Sequence, residues 1–158
     1  MTFVDPVHRQ CLKNALRILG RRDHSIQELR KKLQAKGFLH AAVNSAIDEC
    51  LRLNYLNEER YAEILILDFK RRGYGPLRAE QRLKTKGVTE ETIRVVLDRH
   101  LDHEEQAIIC RRTLKKKLTT DSANEDPARL KAKRYRFLYN RGFTPEIIRQ
   151  VLSTELKN

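Results

Sequence analysis

The chain has 158 residues, of which 40% are hydrophobic and 34% charged, and its formal net charge at pH 7 is +12. With six glycines, four prolines and no tryptophan, this composition favours helices over sheets. No stretch approaches the roughly 18 apolar residues of a membrane-spanning helix, which argues against an integral membrane protein. The segment Met1–Pro6 lacks the charged and apolar regions of a secretory signal, so we expect a cytoplasmic protein.

The positive charge is distributed along the whole chain rather than concentrated in a tail. The net charge is +5 over residues 1–53, +2 over residues 54–101 and +5 over residues 102–158. Such a distribution suits a polyanion or an acidic protein surface as the partner. The alternative is a soluble protein that has a high isoelectric point and no such partner.

Three segments share one pattern around a glycine: Gly37, Gly87 and Gly142. In each segment a Leu lies four residues before the glycine, a Lys or Arg directly before it and an apolar residue directly after it. Apolar residues also follow at the sixth and tenth positions after the glycine. Because glycine adopts positive φ without a Cβ clash, the pattern is typical of a helix that ends at the glycine. The shared register predicts three copies of one helical unit.

Each copy is predicted to contain three helices. The first helices are predicted over residues 6–19, 58–72 and 104–118. The middle helices are predicted to begin after Ser25, which forms a capping box with Glu28, and at Pro76 and Pro127, which follow plausible caps at Gly75 and Asp126. The last helices are predicted to begin with N-caps at His40, Thr89 and Thr144, of which the histidine is the weakest.

These helices predict an all-α fold of three tandem three-helix, helix-turn-helix-like repeats in an elongated, curved array. Because one unit of about 50 residues buries little apolar surface, neighbouring units are expected to pack together. We place the repeats at residues 1–53, 54–101 and 102–158, the last with a loop near 119–126.

Residues suited to catalysis or metal binding are few. Cys11, Cys50 and Cys110 are widely spaced within apolar helical patterns, which favours small core residues over a disulfide or zinc site. His100 and His103 either share one helical face or mark an exposed helix junction, and they lack a third ligand. The sequence also lacks a phosphate-binding loop. We therefore expect a protein that is not an enzyme and needs no cofactor or metal.

Basic clusters recur at related places in the three copies. A single cluster is as often a solvated face as a binding surface, but the repetition favours a surface that faces a polyanion or an acidic protein. Tyr74 either stacks on a nucleic-acid base, packs on a partner or caps its own helix end. The predicted surface consists of Arg30, Lys31, Lys32, Lys36, Lys70, Arg71, Arg72, Tyr74, Arg78, Arg82, Lys84, Lys86, Arg111, Arg112, Lys115 and Lys116.

The middle copy contains the most specific motifs. The run Tyr55-Leu-Asn-Glu-x-Arg-Tyr-Ala62 precedes Arg71-Arg-Gly-Tyr-Gly-Pro-x-Arg78, with Lys86-Gly-Val88 further along. Two further motifs belong with these: Asp23-His-Ser-x-x-Glu-Leu29 lies upstream, and Arg141-Gly-Phe143, the least specific of them, lies downstream. Over about residues 11–153 the chain resembles the RecX family, which regulates the bacterial recombinase RecA.

The resemblance implies a function that composition does not reveal. RecX-like proteins bind within the helical groove of RecA filaments on single-stranded DNA. They inhibit strand exchange, ATP hydrolysis and stimulated repressor cleavage. By similarity, this chain is expected to bind the RecA filament and single-stranded DNA, with weak binding to duplex DNA, and to modulate recombination, DNA repair and the SOS response. The sequence lacks a heptad seam and a long apolar stripe, which favours a monomer.

A second function remains open, in which the protein is a nucleic-acid-binding module that places its helix-turn-helix units directly on DNA. Against it, the helices that follow Gly37, Gly87 and Gly142 are less basic than those that precede these glycines. A recognition helix has the opposite distribution of charge.

Overall fold

The computed structural model describes residues 5–121 and 124–155, and within these ranges the chain forms nine α-helices and no β-strand. None of the helices described there is long and apolar enough to cross a membrane. Three segments lie outside the described ranges: Met1–Val4, residues 122–123 and residues 156–158. The first belongs to the segment from which the absence of a secretory signal was predicted, and the second belongs to the predicted loop. The helices are α1 (Pro6–Leu19), α2 (Ile26–Ala35), α3 (His40–Arg52), α4 (Glu58–Arg71), α5 (Pro76–Thr85), α6 (Glu90–His100), α7 (His103–Leu118), α8 (Pro127–Asn140) and α9 (Pro145–Glu155).

The three repeat-defining glycines end the middle helices as predicted. Their φ angles are 89° at Gly37, 75° at Gly87 and 90° at Gly142, a region that side chains with a Cβ rarely adopt. After each glycine the chain turns back, and the next amide donates to the carbonyl of the leucine four residues before the glycine, at 3.2–3.4 Å. Each copy therefore closes its middle helix in the same way.

Side-chain caps start most of the helices, and one predicted cap is wrong. Ser25 and Glu28 form the predicted capping box, and the carboxylate of Asp126 accepts from the Arg129 amide. At α3 the prediction of His40 as the N-cap is wrong. Leu39 has the extended backbone of the N-cap, with φ −72° and ψ 157°, and makes no side-chain cap, so His40 lies inside the helix.

By internal contacts the described chain divides into two compact units. The first runs to Ala62 and includes Leu83–Ile93; the second contains Glu63–Arg82 and the chain from Arg94 onward. The chain passes from one unit to the other at three places, all within the second predicted copy, so the repeat boundaries proposed above stay a prediction. The fully buried apolar residues include Leu29, Leu33, Val43 and Leu56 in the first unit, and Ile109, Leu114, Leu138 and Phe143 in the second.

All three cysteines are buried core residues, as predicted. Cys11, Cys50 and Cys110 are each 0% exposed. Burial disfavours the thiolate and raises the pKa of all three thiols, to about 11 for Cys50 and about 12 for Cys110. These thiols are therefore protonated and unreactive at neutral pH.

In each unit a glycine turn packs against the N-terminus of the preceding middle helix. In the first unit the Ser25 hydroxyl donates to the Lys86 carbonyl at 2.7 Å; we call this contact the Ser25 junction. In the second unit the Gly75 amide donates to the Arg141 carbonyl at 2.8 Å, and the Leu77 amide donates to the Gly142 carbonyl at 3.0 Å; we call this contact the Gly75 junction. Both junctions bring the carbonyl end of one helix to the amide end of another, which also suits the helix dipoles.

Candidate functional site

The residues of the predicted basic surface are divided between the two compact units, and each group is described within its own unit. The first unit contains six of them: Arg30, Lys31, Lys32, Lys36, Lys84 and Lys86. The second unit contains ten: Lys70, Arg71, Arg72, Tyr74, Arg78, Arg82, Arg111, Arg112, Lys115 and Lys116.

In the second unit, α7 presents a row of cations to solvent. Its opposite face is buried through Ala107, Cys110 and Leu114, whereas Arg111 and Lys115 are exposed one turn apart. Arg112 and Lys116 are exposed beside them. This helix therefore offers a charged surface without exposing its core.

Two members of the predicted surface also hold the second unit together. The Lys70 ammonium lies 2.9 Å from the Glu105 carboxylate, and the Lys70 side chain is only 21% exposed. The Arg112 guanidinium donates to the Lys70 carbonyl at 2.5 Å. These contacts join the end of α4 to α7, so the charge of Lys70 is largely used within the protein.

Tyr74 lies at the centre of a cluster of guanidinium groups. The guanidinium carbons of Arg78 and Arg141 each lie 4.8 Å from its ring centroid, and that of Arg72 lies at 5.2 Å. The Tyr74 amide donates to the Phe69 carbonyl at 2.9 Å, and the two rings are 5.3 Å apart. The structure therefore shows the capping role that the sequence left open, while stacking on a base or packing on a partner stays a prediction.

The guanidinium groups around Tyr74 are also anchored to backbone. Arg78 donates to the Asn140 carbonyl at 2.9 Å, and Arg141 donates to the Arg72 carbonyl at 3.0 Å. Arginines held by a ring and a carbonyl lose less side-chain entropy when they bind an anion. The cluster thus stabilises the Gly75 junction and presents preorganised positive charge.

In the first unit, Lys86 is used within the Ser25 junction. Its ammonium lies 2.6 Å from the Glu28 carboxylate, which Arg22 also approaches at 3.3 Å. Although burial raises the pKa of Glu28, hydrogen bonds from Lys86 and Arg22 hold it at about 2. Glu28 is therefore ionised at neutral pH and balances both cations.

Lys32 is positioned by a buried histidine. His24 is 1% exposed, and its Nδ1 lies 2.9 Å from the Arg22 carbonyl, which can only accept. Nδ1 therefore carries the proton, and Nε2 accepts from the Lys32 ammonium at 2.9 Å. Burial lowers the pKa of His24, and the charges of Arg22 and Lys32 act in the same direction. The imidazole is consequently neutral at pH 7.

A cleft between α1 and α2 contains cations that the sequence analysis did not select. It has a volume of about 820 Å³, and we call it the α1–α2 cleft. Sequence reasoning selected Lys32 and Lys36 but missed the others, although Arg17-x-x-x-Arg21-Arg22 gave a signal at helical spacing. The cleft is lined by Arg17, Ile18, Arg21, Arg22, His24, Lys32, Ala35 and Lys36.

The histidine pair singled out in the sequence has partners within the protein. His100 Nε2 lies 2.5 Å from a Glu63 carboxylate oxygen, and His103 Nε2 lies 2.9 Å from the Gln150 side-chain oxygen. His100 ends α6 and His103 begins α7, so they lie at a helix junction. Among the described residues, no group of three or more His, Cys, Asp or Glu is placed to hold a metal ion.

Comparison with known proteins assigns the family. Residues 11–50, 57–97 and 104–152 match the family models for the first, second and third three-helix domains of RecX, respectively. The chain belongs to the RecX family. All three RecX domains are thus found in order, and the all-α fold of three helix triples is confirmed.

Curated relatives and solved structures agree with this assignment. The regulatory protein RecX of Legionella pneumophila (strain Corby) is 36% identical over 138 residues, which cover 87% of this chain and 89% of the relative. The regulatory protein RecX of Acidithiobacillus ferrooxidans (strain ATCC 53993 / BNL-5-31) is 39% identical, with 87% and 85% covered. The crystal structure of RecX from Lactobacillus salivarius has the same fold, with a TM-score of 0.83 at 18% identity over 94% of this chain and 96% of that one.

Proposed function

We propose that this RecX-family chain is a non-catalytic regulator that binds RecA filaments on single-stranded DNA. In this role it inhibits the recombinase, ATPase and co-protease activities of RecA and so modulates recombination and the SOS response in the cytoplasm. The observation that carries the proposal is the match to proteins named regulatory protein RecX over nearly nine-tenths of the chain. The monomeric state expected from the sequence belongs to the same proposal.

The distribution of charge supports this function. Exposed cations on α7 and the preorganised guanidinium groups around Tyr74 suit a partner that is acidic over a large area. The net charge of +12 also favours rapid association with a negatively charged filament. The exposed cations of α7 are therefore the best residues with which to test the proposed surface.

The first test measures the single-strand-dependent ATPase activity of RecA at near-physiological salt. Sub-stoichiometric amounts of the protein are expected to suppress hydrolysis, because one bound regulator affects many RecA subunits of a filament. Suppression that needs enough protein to coat the DNA would contradict the proposal. The same holds if an unrelated DNA-dependent ATPase is suppressed equally.

The second arm of this test reverses two exposed charges with Arg111→Glu and Lys115→Glu. Inhibition is expected to weaken at least ~10-fold, as for the loss of favourable charge pairs at an interface. The matched control reverses Arg129 and Arg136, which are exposed cations of α8 outside the predicted surface. Reversal of Lys70 and Arg72 is less informative, because Lys70 pairs with Glu105 and Arg72 contacts the Tyr74 ring.

The alternative of a DNA-binding module is favoured by one observation, the cationic α1–α2 cleft. Salt separates the two functions. Binding to DNA alone through Z phosphates loses affinity with a log–log slope of about −0.7Z on a single strand. If inhibition of RecA falls in parallel with DNA affinity as salt rises, direct DNA binding accounts for it.

A further inference from the structure

The α1–α2 cleft concentrates positive charge, and the ion pairs described above neutralise only the part that Arg22 contributes. Five of its eight lining residues are Lys or Arg, and none of the eight is acidic. Its volume of about 820 Å³ lies in the range of ligand-binding clefts. Like charges held this close repel one another, so the arrangement favours a ligand with several negative charges.

Two neighbouring carboxylates, those of Glu28 and Asp23, are engaged mainly with cations outside the cleft. Glu28 is paired with Lys86 at 2.6 Å as well as with Arg22. Asp23 is paired with Arg60 at 2.7 Å. These two acids therefore balance Lys86 of the Ser25 junction and Arg60 of α4, and the lining cation Arg22 shares Glu28 with Lys86.

Lys32 gives the cleft a positioned cation whose charge is not neutralised by its partner. Lys32 is exposed, and its ammonium donates to the neutral imidazole of His24 rather than to a carboxylate. His24 is itself fixed by the Arg22 carbonyl and is 1% exposed. An ammonium has three N–H donors, so the contact with His24 orients the group while leaving its full charge.

We propose that the α1–α2 cleft binds phosphate groups of the single-stranded DNA backbone. Guanidinium groups match phosphate oxygens in two-point geometry, and ammonium groups add point charges. A single acidic side chain of a protein would bring one charge, whereas a single strand brings one charge per nucleotide at short spacing. A flexible single strand can also follow a concave cleft, in contrast to a rigid duplex.

This inference rests on the proposed function in so far as it takes DNA as the ligand, but its test needs no RecA. The measurement is the fluorescence anisotropy of a labelled oligothymidylate titrated with the full chain over a range of salt concentrations. Lys32→Gln combined with Lys36→Gln should reduce the log–log salt slope by about 1.4, because two phosphate contacts are lost at about 0.7 each. At 0.15 M salt this corresponds to a roughly 10-fold loss of affinity.

The choice of variants controls for folding and for net charge. Glutamine at position 32 can still donate to His24 Nε2, so the geometry of the cleft is kept while the charge is removed. Lys131→Gln, paired with Arg136→Gln, makes the same change of charge at two exposed positions of α8, outside the cleft, and should leave the salt slope unchanged. Lys32→Arg combined with Lys36→Gln restores one of the two charges and should recover about half of the lost salt slope, about 0.7.

The possible outcomes separate the two proposals. An unchanged salt slope and affinity in the Lys32→Gln, Lys36→Gln protein would overturn the phosphate site. If that protein binds DNA normally but no longer inhibits RecA, the cleft contacts an acidic protein surface, and the phosphate site is again wrong. If the wild-type chain binds DNA through the cleft but does not inhibit RecA, the site stands and the proposed function fails.

Discussion

The Ser25 junction and the Gly75 junction join equivalent helices by different chemistry. At the first, a side-chain hydroxyl donates to the Lys86 carbonyl, and Lys86 pairs with Glu28 beside it. At the second, the backbone amides of Gly75 and Leu77 donate to the carbonyls of the glycine turn. Arginine side chains also cover the Tyr74 ring there. The comparison shows that the meeting of a helix N-terminus with a glycine turn sets the architecture. The stabilising groups differ from one copy to the next.

The largest expected effect comes from adding a methyl group at the Gly75 junction. In Gly75→Ala the new Cβ would lie 2.4 Å from the Gly142 carbonyl oxygen and 2.5 Å from its carbon, which are backbone atoms that cannot rotate away. We expect the free energy of unfolding to fall by about 3 kcal/mol. Urea or thermal denaturation measures this change.

Gly37→Ala is the control for Gly75→Ala. Gly37 has φ of 89°, but a Cβ there would meet nothing within 4 Å. Its cost is therefore that of the backbone conformation, about 1–2 kcal/mol. Gly75 does not have a positive φ, so its loss comes from packing, and an unchanged stability of Gly75→Ala would show that close packing at the Gly75 junction contributes nothing.

A smaller effect is expected when the hydroxyl of the Ser25 junction is removed. Ser25 is fully buried; its oxygen accepts from the Glu28 amide at 3.1 Å while its hydroxyl donates to Lys86. Ser25→Ala removes the cap of α2 and leaves the Lys86 carbonyl without this donor. The free energy of unfolding should therefore fall by about 2 kcal/mol. Ser45→Ala removes an exposed hydroxyl from α3 and should change stability by less than about 0.5 kcal/mol. If Ser25→Ala loses no more stability than Ser45→Ala, the Ser25 hydroxyl does not stabilise the junction.

The smallest effect is a difference in acid stability. The folded-state pKa of Glu28 is about 2, below its ordinary value of 4.5. Its contribution to stability is therefore full above pH 4.5 and is lost as the pH falls towards 2. Since the pair is partly solvated, we expect it to contribute about 1 kcal/mol. When denaturation is measured at several values between pH 6 and pH 2, the free energy of unfolding should fall more steeply in the wild type than in Glu28→Gln.

The acid experiment also distinguishes the junctions. The hydrogen bonds and ring contacts that define the Gly75 junction involve amides, carbonyls, guanidinium groups and the Tyr74 ring, and no carboxylate takes part in them. Gly75→Ala should therefore lower stability without changing its pH dependence. A flattened pH profile in Gly75→Ala would contradict the separation of the two junctions.

The helices and their ends were predictable because their signals are local. The φ of Gly142 and the cap at Asp126 depend on residues within four or five positions, which the sequence displays directly. His40 was misplaced by one residue, since a weak cap residue does not fix the start of a helix and Leu39 adopts the cap conformation. Local patterns thus predict the element and leave its first residue uncertain when the cap is poor.

The candidate site was less predictable because it depends on distant neighbours. The sequence shows that Lys70 and Lys86 are basic, but not that Glu105 and Glu28 lie beside them. The α1–α2 cleft likewise becomes visible once α1 and α2 pack together, which brings Arg17 and Lys36 to one cavity. Charge can be read from a sequence, whereas the part of it available to a partner is set by tertiary contacts.

The long sequence separation across the Ser25 junction has a consequence for synthesis on the ribosome. Ser25 emerges 61 residues before Lys86, whose carbonyl its hydroxyl contacts. Gly75 similarly emerges well before Arg141. If α2 and α5 form as they leave the ribosome, they do so before the carbonyls that contact them have been made.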